Sequence, residues 1–316
     1  EVPIKDERVL LGPQLGEDAA VIDFGDRVMI AKTDPITFTA ERIGWYVVHI
    51  NANDVAAMGA RPRWFLATVL LPDHHTDAPL VESILGDLVS ACESLGITLC
   101  GGHTEVTAGL DRPMVVGHML GEVSKDKLVV KSRLRVGDRI ILTKGVAIEG
   151  TAIIAREKAE VLKPHLNDQQ IERAKNYLID PGISVVEEAL IANEVADVHA
   201  MHDPTEGGVV AGVWELAVAA KAGLVIHADR IPILPETRAV CQVFHLDPLR
   251  LIASGALLIA APAEACENVL TALRQKGIPA AVIGEVKPLS EGVRLRRDGE
   301  WVDLTYPPQD EITKVL

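Results

Sequence analysis

The chain has 316 residues, of which 48% are hydrophobic and only 3% aromatic, and its formal net charge is −14. That length exceeds what one hydrophobic core usually supports, so we expect two domains. The negative charge excludes non-specific binding to nucleic acid or to an anionic membrane, because both require clustered Lys and Arg. The sequence contains no apolar run of the length (about 18 residues) that a membrane span requires.

The four cysteines, Cys92, Cys100, Cys241 and Cys266, lack CxxC spacing and lie in apolar context. This pattern predicts buried, reduced thiols, which are typical of a cytoplasmic protein. The first residues, EVPIKDER, do not show the charged-then-apolar pattern of a secretory signal. We therefore predict a cytoplasmic protein.

In the N-terminal half, residues 19–23 and 27–32 are predicted as the strands of a hairpin whose turn is Phe24-Gly25-Asp26. The elements that follow are a helix at 41–58, a strand at 64–72, an amphipathic helix at 79–95, and strands at 97–100 and 113–123. The polar stretch 124–138 is the candidate domain junction. We predict one domain at residues 1–124 and a second at 136–316.

The C-terminal half also mixes helices and strands. Its predicted elements are a strand at 138–145, helices at 148–158, 168–178, 183–195 and 207–222, strands at 224–228 and 255–261, a helix at 263–276 and a strand at 279–286. Neither an internal repeat nor a low-complexity segment is visible. Both halves therefore favour an α+β or α/β class.

Two acidic residues flank the predicted hairpin. Counting outward from Gly25 pairs residue 23 with 27 and residue 20 with 30, which brings Asp18 and Asp34 to the same end. Cross-strand neighbours lie about 5 Å apart and diagonal ones about 7–8 Å apart, within reach of one divalent cation. The alternative is two solvated carboxylates beside turns.

Asp54 stands where the helical pattern calls for an apolar residue. The other members of its stripe are Ile43, Val47, Ile50 and Met58. A carboxylate in such a stripe is costly without a partner, so we expect a cation, a metal or several donors beside it. The alternative is a structural hydrogen bond to a neighbouring helix end. Asn51 and Asn53 add further polar groups at this place.

The segment HDPTEGG (202–208) combines a capping pattern with two glycines. Asp203 as N-cap, Pro204 as N1 and Glu206 as N3 predict a capping box. Gly207 and Gly208 in the first turn would each cost about 1 kcal/mol relative to Ala. Their presence indicates close approach to the backbone, and a helix N-terminus is a favourable place for phosphate.

The segment ITLCGGHTE (97–105) places two glycines at the end of a predicted strand. His103-Thr104-Glu105 matches the H-x-E of zinc deaminases, but neither the PCxxC of that class nor HExxH follows. Backbone N–H groups facing phosphate oxygens suit this stretch better. The standard phosphate loops, GxxxxGK[ST] and GxGxxG, do not occur in the sequence.

Seven segments, taken in order, resemble the aminoimidazole ribonucleotide (AIR) synthetase-related, PurM-like superfamily. They are GEDAAVI, TDP, NDVAAMGARP, GGHTE, ILTKGVAIEGTAI, HDPTEGG and ASGALL. This superfamily includes HypE, thiamine-monophosphate kinase and selenophosphate synthetase. The resemblance runs from about residue 10 to about residue 290 and covers nearly the whole chain. Each segment alone is weak evidence, and NDVAAMGA, GGHT and DPTEGG in this order are specific.

The resemblance implies a PurM-like fold of two α+β domains. The N-terminal AIR synthase-related domain would bind ATP and pair with its twin in a dimeric β-barrel, and the C-terminal domain would be an α/β sandwich. MgATP would lie in the cleft between the domains. The chemistry shared by the superfamily is ATP-dependent activation of an oxygen or similar nucleophilic atom by phosphoryl transfer, which depends mainly on positioning and charge neutralisation.

The resemblance also implies roles for individual residues. The implied Mg²⁺ ligands are Asp18, Asp34, Asp54 and Asp203. The implied nucleotide-binding residues are Asp34, Asn53, Gly101, Gly102, Thr104, Lys144, Gly207 and Gly208. Asp54 and His103 are the candidate catalytic residues, and Lys32 is a further candidate charge stabiliser.

The overall layout is nearest to HypE, whose terminal cysteine carries the reacting group. This chain ends EITKVL with no cysteine after Cys266, so we expect no reaction on a terminal thiol. The leading hypothesis is an ATP-dependent enzyme acting on an unknown small-molecule or protein-bound acceptor. The alternatives are a nucleotide-binding partner protein without turnover and a metal-dependent phosphohydrolase.

Overall fold

The computed structural model describes residues 4–13, 17–37, 39 and 41–316. This part of the chain divides into two compact units, one containing residues 4–13, 18–37, 39 and 41–128, the other containing Glu17 and residues 129–316. The division between residues 128 and 129 lies within the polar stretch 124–138, the candidate junction.

The first unit is a sheet with two helices. Its elements, in chain order, are β1 (Val9–Leu11), β2 (Ala20–Asp23), β3 (Arg27–Ile36), α1 (Ile43–Ala57), β4 (Arg61–Pro72), α2 (Ala78–Leu95), β5 (Thr98–Thr107) and β6 (Met114–Ser124). In the described residues the strand order is β1-β2-β3-β6-β4-β5. β4 and β5 run parallel, and β3, β6 and β4 pair antiparallel. The helices and strands predicted between residues 19 and 123 are therefore confirmed as elements.

The register of the first hairpin differs from the prediction by one residue. Asp23 pairs with Val28, and Ala20 pairs with Ala31. The turn is centred between Gly25 and Asp26, because the Phe24 N–H donates to the Arg27 carbonyl at 3.0 Å. Gly25 has φ +88°, and its N–H donates to the Asp23 carboxylate at 2.8 Å.

Helix α1 is more deeply enclosed than one apolar stripe predicts. All of its residues except Trp45 are buried, including Asn51, Asn53 and Asp54. α1 packs against the sheet and also against α2. Gly44 permits this contact, since a Cβ at that position would lie 2.6 Å from the Ile84 carbonyl oxygen of α2.

The prediction that a strand ends before GGHTE is wrong, because β5 continues through these residues to Thr107. β5 is the last strand in the sheet order, and its residues Thr98–Val106 are exposed. Gly101 and Gly102 have φ values of +150° and +151°. A Cβ on Gly102 would lie 1.9 Å from the Ala67 carbonyl oxygen of β4. The glycine at 102 is therefore required by strand packing.

The second unit contains a larger sheet and most of the helices. Its elements, in chain order, are β7 (Arg139–Thr143), α3 (Ile148–Glu157), α4 (Ala159–Leu162), α5 (Asp168–Asn176), α6 (Val186–Val195), β8 (Ala200–His202), α7 (Gly208–Ala220), β9 (Gly223–His227), α8 (Pro235–Phe244), β10 (Leu258–Ala261), α9 (Cys266–Gln275), β11 (Ala280–Lys287), β12 (Val293–Arg297) and β13 (Glu300–Asp303). In the described residues the strand order is β13-β12-β9-β11-β7-β10-β8.

The core of the second unit lies between this sheet and α7. Val209, Val213 and Leu216 of α7 share one buried cluster with Leu142 of β7 and Leu258 of β10. The predicted helices α3, α5, α6, α7 and α9 and the predicted strands β7, β9, β10 and β11 are confirmed within a few residues. The sequence did not predict α4, β8, α8, β12 or β13. β8 is only three residues long, which leaves too short a pattern for a prediction.

Three of the four cysteines, Cys92, Cys241 and Cys266, are buried free thiols as predicted, but Cys100 is exposed on β5. Within the described residues, the helices all fall short of the length and apolar character needed to cross a membrane.

The adjacent glycines of β5 provide a matched test of the packing. Gly102→Ala should lower the free energy of unfolding by about 1–3 kcal/mol more than Gly101→Ala. Both substitutions place Ala at nearly the same unfavourable φ, but at Gly101 a Cβ would meet no atom within 4 Å. Urea unfolding of both variants measures the difference. Equal losses would contradict the close contact between Gly102 and Ala67.

Candidate functional site

Lys32, Asp34 and Asp54 form a charged group on the helix-covered face of the first sheet. Alternation along β3 places Lys32 and Asp34 on the same face. The Lys32 Nζ atom lies 3.1 Å from Asp34 Oδ2 and 3.3 Å from Asp54 Oδ2. The Asp54 side chain is only 9% exposed, against 36% for Asp34. The expectation that Asp54 has a cation beside it is confirmed, and that cation is Lys32.

The carboxylates surrounding Lys32 control its protonation. Burial opposes the charged form, but Asp54 and Asp34 outweigh it and raise the pKa of the Lys32 ammonium above its ordinary value. Asp18 contributes in the same direction. Asp18 is itself buried, two residues before β2 begins. The structure thus brings Asp18, Asp34 and Asp54 of the first unit into electrostatic contact with one cation.

Asn51 fixes the strand and helix that carry these carboxylates. Its Oδ1 accepts from the Asp34 N–H at 2.9 Å, and its Nδ2 donates to the Asp34 carbonyl at 3.3 Å and to the Val47 carbonyl at 2.8 Å. Gly117 leaves room for this amide, because a Cβ there would lie 2.5 Å from Nδ2. The sequence marked Asn51 as polar but gave no sign of this role. Asn53, predicted to bind nucleotide, is buried in α1.

The strand register relates the carboxylates to the glycines of β5. Asp34 pairs with Gly117, Gly117 with Ala67, and Ala67 with Gly102, so all four lie on one line across the sheet. Three strand spacings separate Asp34 from Gly102, which corresponds to about 14 Å. One phosphate cannot contact both positions in the same protomer, whereas an elongated ligand lying across the sheet can.

A groove of about 370 Å³ adjoins the glycines of β5. Its walls include Leu85 and Leu88 of α2 and residues 99–104 of β5. His103 projects into solvent with a side chain 66% exposed, and its Nε2 lies 3.4 Å from Glu105 Oε2. The groove thus combines an apolar helix face with glycine backbone and a nearby imidazole.

In the second unit, Asp203 is buried between β8 and α7. The predicted capping box at this place is wrong. α7 begins at Gly208, its N-cap is Gly207, and no side chain caps it. Gly207 has φ +77° and Gly208 has φ +64°, conformations that side chains rarely adopt.

The close approach that the two glycines indicate comes from the chain itself. The Gly207 N–H donates to Asp310 Oδ2 at 2.6 Å. A Cβ on Gly208 would lie 2.6 Å from the Leu249 carbonyl oxygen. The Asp310 carboxylate therefore accepts the Gly207 N–H, one of the donors considered for a phosphate here, and the role of the two glycines in binding nucleotide stays a prediction.

Lys144, also predicted to bind nucleotide, has internal partners. Its Nζ lies 2.8 Å from Glu188 Oε1 and donates to the carbonyls of Gly182 and Ser184. These three partners match the three N–H donors of an ammonium group. We therefore expect Lys144 to stabilise the second unit rather than to contact a ligand.

Glu149 is a titratable group that the sequence did not single out, although it lies within the segment GVAIEGT. It stands in the first turn of α3 and is 3% exposed. Burial raises the pKa of its carboxyl to about 7, Ser254 opposes the shift, and Glu206 and Asp310 add to it. A carboxyl that titrates near neutrality can accept or donate a proton under ordinary conditions.

Comparison with known proteins identifies the family. Residues 16–123 match the family model described as "AIR synthase related protein, N-terminal domain". Residues 135–295 match the model described as "AIR synthase related protein, C-terminal domain". The chain belongs to the AIR synthase-related protein family. The PurM-like two-domain fold predicted from the sequence is thereby confirmed.

Individual AIR synthase-related proteins resemble this chain over most of its length. Carbamoyl dehydratase HypE of Rhodobacter capsulatus is 26% identical over 298 residues, which cover 93% of this chain and 84% of that protein. The crystal structure of E. coli HypE has a TM-score of 0.79 at 26% identity and covers 95% of this chain and 94% of that one. A structure of HypE in complex with ATP has a TM-score of 0.76 at 27% identity, with coverages of 95% and 92%.

The pKa of Glu149 predicts a specific pH dependence of stability. In the folded protein the carboxyl stays protonated up to about pH 7, whereas in the unfolded chain it ionises near pH 4.5. The free energy of unfolding should therefore decline as pH rises from about 4.5 to 7, by on the order of 2 kcal/mol from this group.

Glu149→Gln should remove that decline, so the variant gains stability relative to wild type between pH 5 and pH 8. Urea unfolding at both pH values measures the gain. Glu172→Gln, an exposed position on α5, is the matched control and should show no such gain. If the free energies of unfolding of wild type and Glu149→Gln differed by the same amount at pH 5 and pH 8, the raised pKa of Glu149 would be contradicted.

Proposed function

We propose that this protein is a Mg²⁺- and ATP-dependent enzyme that activates an oxygen or similar nucleophilic atom of an acceptor by phosphoryl transfer. The observation that carries the proposal is the pairing of Asp34 and Asp54 around one cation in the first unit. The proposal also draws on membership of the AIR synthase-related family and on the similarity to a HypE that was crystallised with ATP.

The residues around Lys32 fit a Mg²⁺ site. Their donor atoms are carboxylate oxygens, the hard ligands that Mg²⁺ prefers. Asp54 is buried and carries a charge that needs a cation nearby. Bound Mg²⁺ would supply positive charge against phosphate oxygens and so reconcile an anionic ligand with a protein of net charge −14.

The chain's own residues would position the reactants. Asn51 holds the Asp34 backbone in place, which fixes the direction of its carboxylate. Gly101 and Gly102 leave their backbone uncovered beside the groove, where a nucleotide can approach closely. His103, exposed next to them, is available to hold or move a proton. The acceptor would be a small molecule or a group on another protein.

We further propose that the protein forms a homodimer through β5. This strand is at the edge of the described sheet and is exposed along nearly its whole length, including Leu99 and Val106. Unprotected edge strands of this kind favour pairing with another chain. Within one protomer, Asp34 and Gly102 are about 14 Å apart, too far to contact the same phosphate. In a dimer, β5 of the second copy could contact the ligand instead.

Binding of MgATP tests the proposed function. Ligand at 100 times its dissociation constant contributes about 2.7 kcal/mol, which should raise the unfolding midpoint by on the order of 5 °C. Asp54→Asn should abolish this rise because it removes a negative charge from the proposed metal site. Asp111→Asn, in the exposed connection between β5 and β6, is the control and should retain the rise.

Differential scanning fluorimetry with ATP, with and without Mg²⁺, measures these effects. An equal rise in wild type and Asp54→Asn would remove Asp54 from the site, and no rise at millimolar MgATP would refute the proposed function. Binding with no ADP release for any acceptor would favour a nucleotide-binding partner protein instead.

The dimer has a separate test. Val106→Asp places a charge on the exposed face of β5 and should convert the dimer into a monomer in light scattering after size exclusion. Val136→Asp alters a valine outside β5 that is slightly more exposed than Val106, 62% against 55%, and should leave the dimer intact. A wild-type monomer, or a Val106→Asp dimer, would contradict an interface at β5.

A further inference from the structure

Lys32 occupies the place that the proposed metal would take. Its ammonium lies 3.1 Å from Asp34 and 3.3 Å from Asp54, so it already bridges the two carboxylates. With Asp18, three carboxylates face one ammonium, and three negative charges less one positive charge leave a formal charge of −2. That remaining negative charge would attract a divalent cation.

The ammonium and a divalent cation cannot share this position. Both are positive, and their repulsion in a partly buried site is only weakly screened. A metal that binds Asp34 and Asp54 through the same oxygens must therefore displace the Lys32 ammonium. Lys32 can respond because its charge is at the end of a flexible four-carbon stem.

We propose that Lys32 is an internal counter-ion that competes with metal for Asp34 and Asp54 and that turns to the anionic ligand when metal displaces it. The first part needs only the charges of the first unit. The second part rests on the proposed function, since the anion is the phosphate of the nucleotide. Without bound metal, attraction to the Lys32 ammonium offsets the repulsion among the three neighbouring carboxylates.

Comparison with Lys144 shows why Lys32 can exchange. Lys144 has a side chain only 6% exposed and is held by two backbone carbonyls as well as Glu188. Lys32 is 18% exposed and is held by Asp34 and Asp54, both of which a metal would also bind. Asp34, 36% exposed, leaves the pair open on one side. Both partners of Lys32 are thus groups for which a metal would compete, whereas two of the three partners of Lys144 are backbone carbonyls.

Thermal unfolding with Mg²⁺ alone tests the first part. In EDTA, Lys32→Met should unfold roughly 5 °C below wild type because the buried Asp54 carboxylate loses its cation. MgCl₂ without nucleotide should then raise the midpoint of Lys32→Met at least twofold more than that of wild type. Lys32→Arg keeps the charge and should respond to MgCl₂ as wild type does.

Lys125→Met is the matched control, because it removes a lysine ion pair of the same unit that lies away from the site. The Lys125 Nζ atom is 2.8 Å from Asp23 Oδ2. It should not change the response to MgCl₂. A rise in Lys32→Met that is no larger than in wild type, including no rise in either protein, would overturn the competition. This result is independent of ATP binding, so it distinguishes failure of the counter-ion from failure of the proposed function.

Calorimetric titration with MgATP tests the second part. If the displaced ammonium binds phosphate, Lys32→Met should bind MgATP about tenfold more weakly, although its response to Mg²⁺ alone is stronger. A purely structural role would not give these opposite signs. Unchanged or tighter MgATP binding in Lys32→Met would overturn the contact between Lys32 and phosphate. The competition between Lys32 and metal is decided separately, by thermal unfolding with MgCl₂.

Discussion

The burial of the Asp54 carboxylate is the constraint on which the candidate site depends. An ionised carboxylate enclosed in α1 is tolerated only with a cation beside it. Lys32 of β3 supplies that cation, and Asn51 holds β3 against α1 at the adjacent Asp34. The contacts that stabilise the first unit therefore also bring together the carboxylates that a metal would need.

The sequence predicted this site because its signals are local. Asp54 interrupts an apolar stripe of helical period, and a charge in such a place requires a partner wherever the helix packs. The identity of the partner was not predictable to the same degree, since it depends on how α1 packs against β3. The register of the first hairpin is set by the turn at Gly25 and Asp26, and counting from the glycine alone misplaced it by one residue.

Other predictions from sequence failed where a glycine had a tertiary explanation. Gly102 was interpreted as the end of a strand, but β5 continues through it. The residue is glycine because the Ala67 carbonyl leaves no room for a side chain. The close approach at Gly207 comes from the chain itself, because its N–H donates to the Asp310 carboxylate, 103 residues later in the sequence. The role of Gly207 and Gly208 in binding nucleotide stays a prediction. Glu149 was overlooked because burial, not residue pattern, raises its pKa. Contacts between distant segments leave no periodic trace in the sequence.

The most direct test is a crystal structure of the protein with ATP and Mn²⁺, in which anomalous scattering locates the metal. We expect a metal peak at roughly 2–2.5 Å from carboxylate oxygens of both Asp34 and Asp54. We also expect the Lys32 ammonium to have left its position between them and to lie against a phosphate oxygen. A metal bound elsewhere, with Lys32 still about 3 Å from both carboxylates, would contradict the proposed exchange.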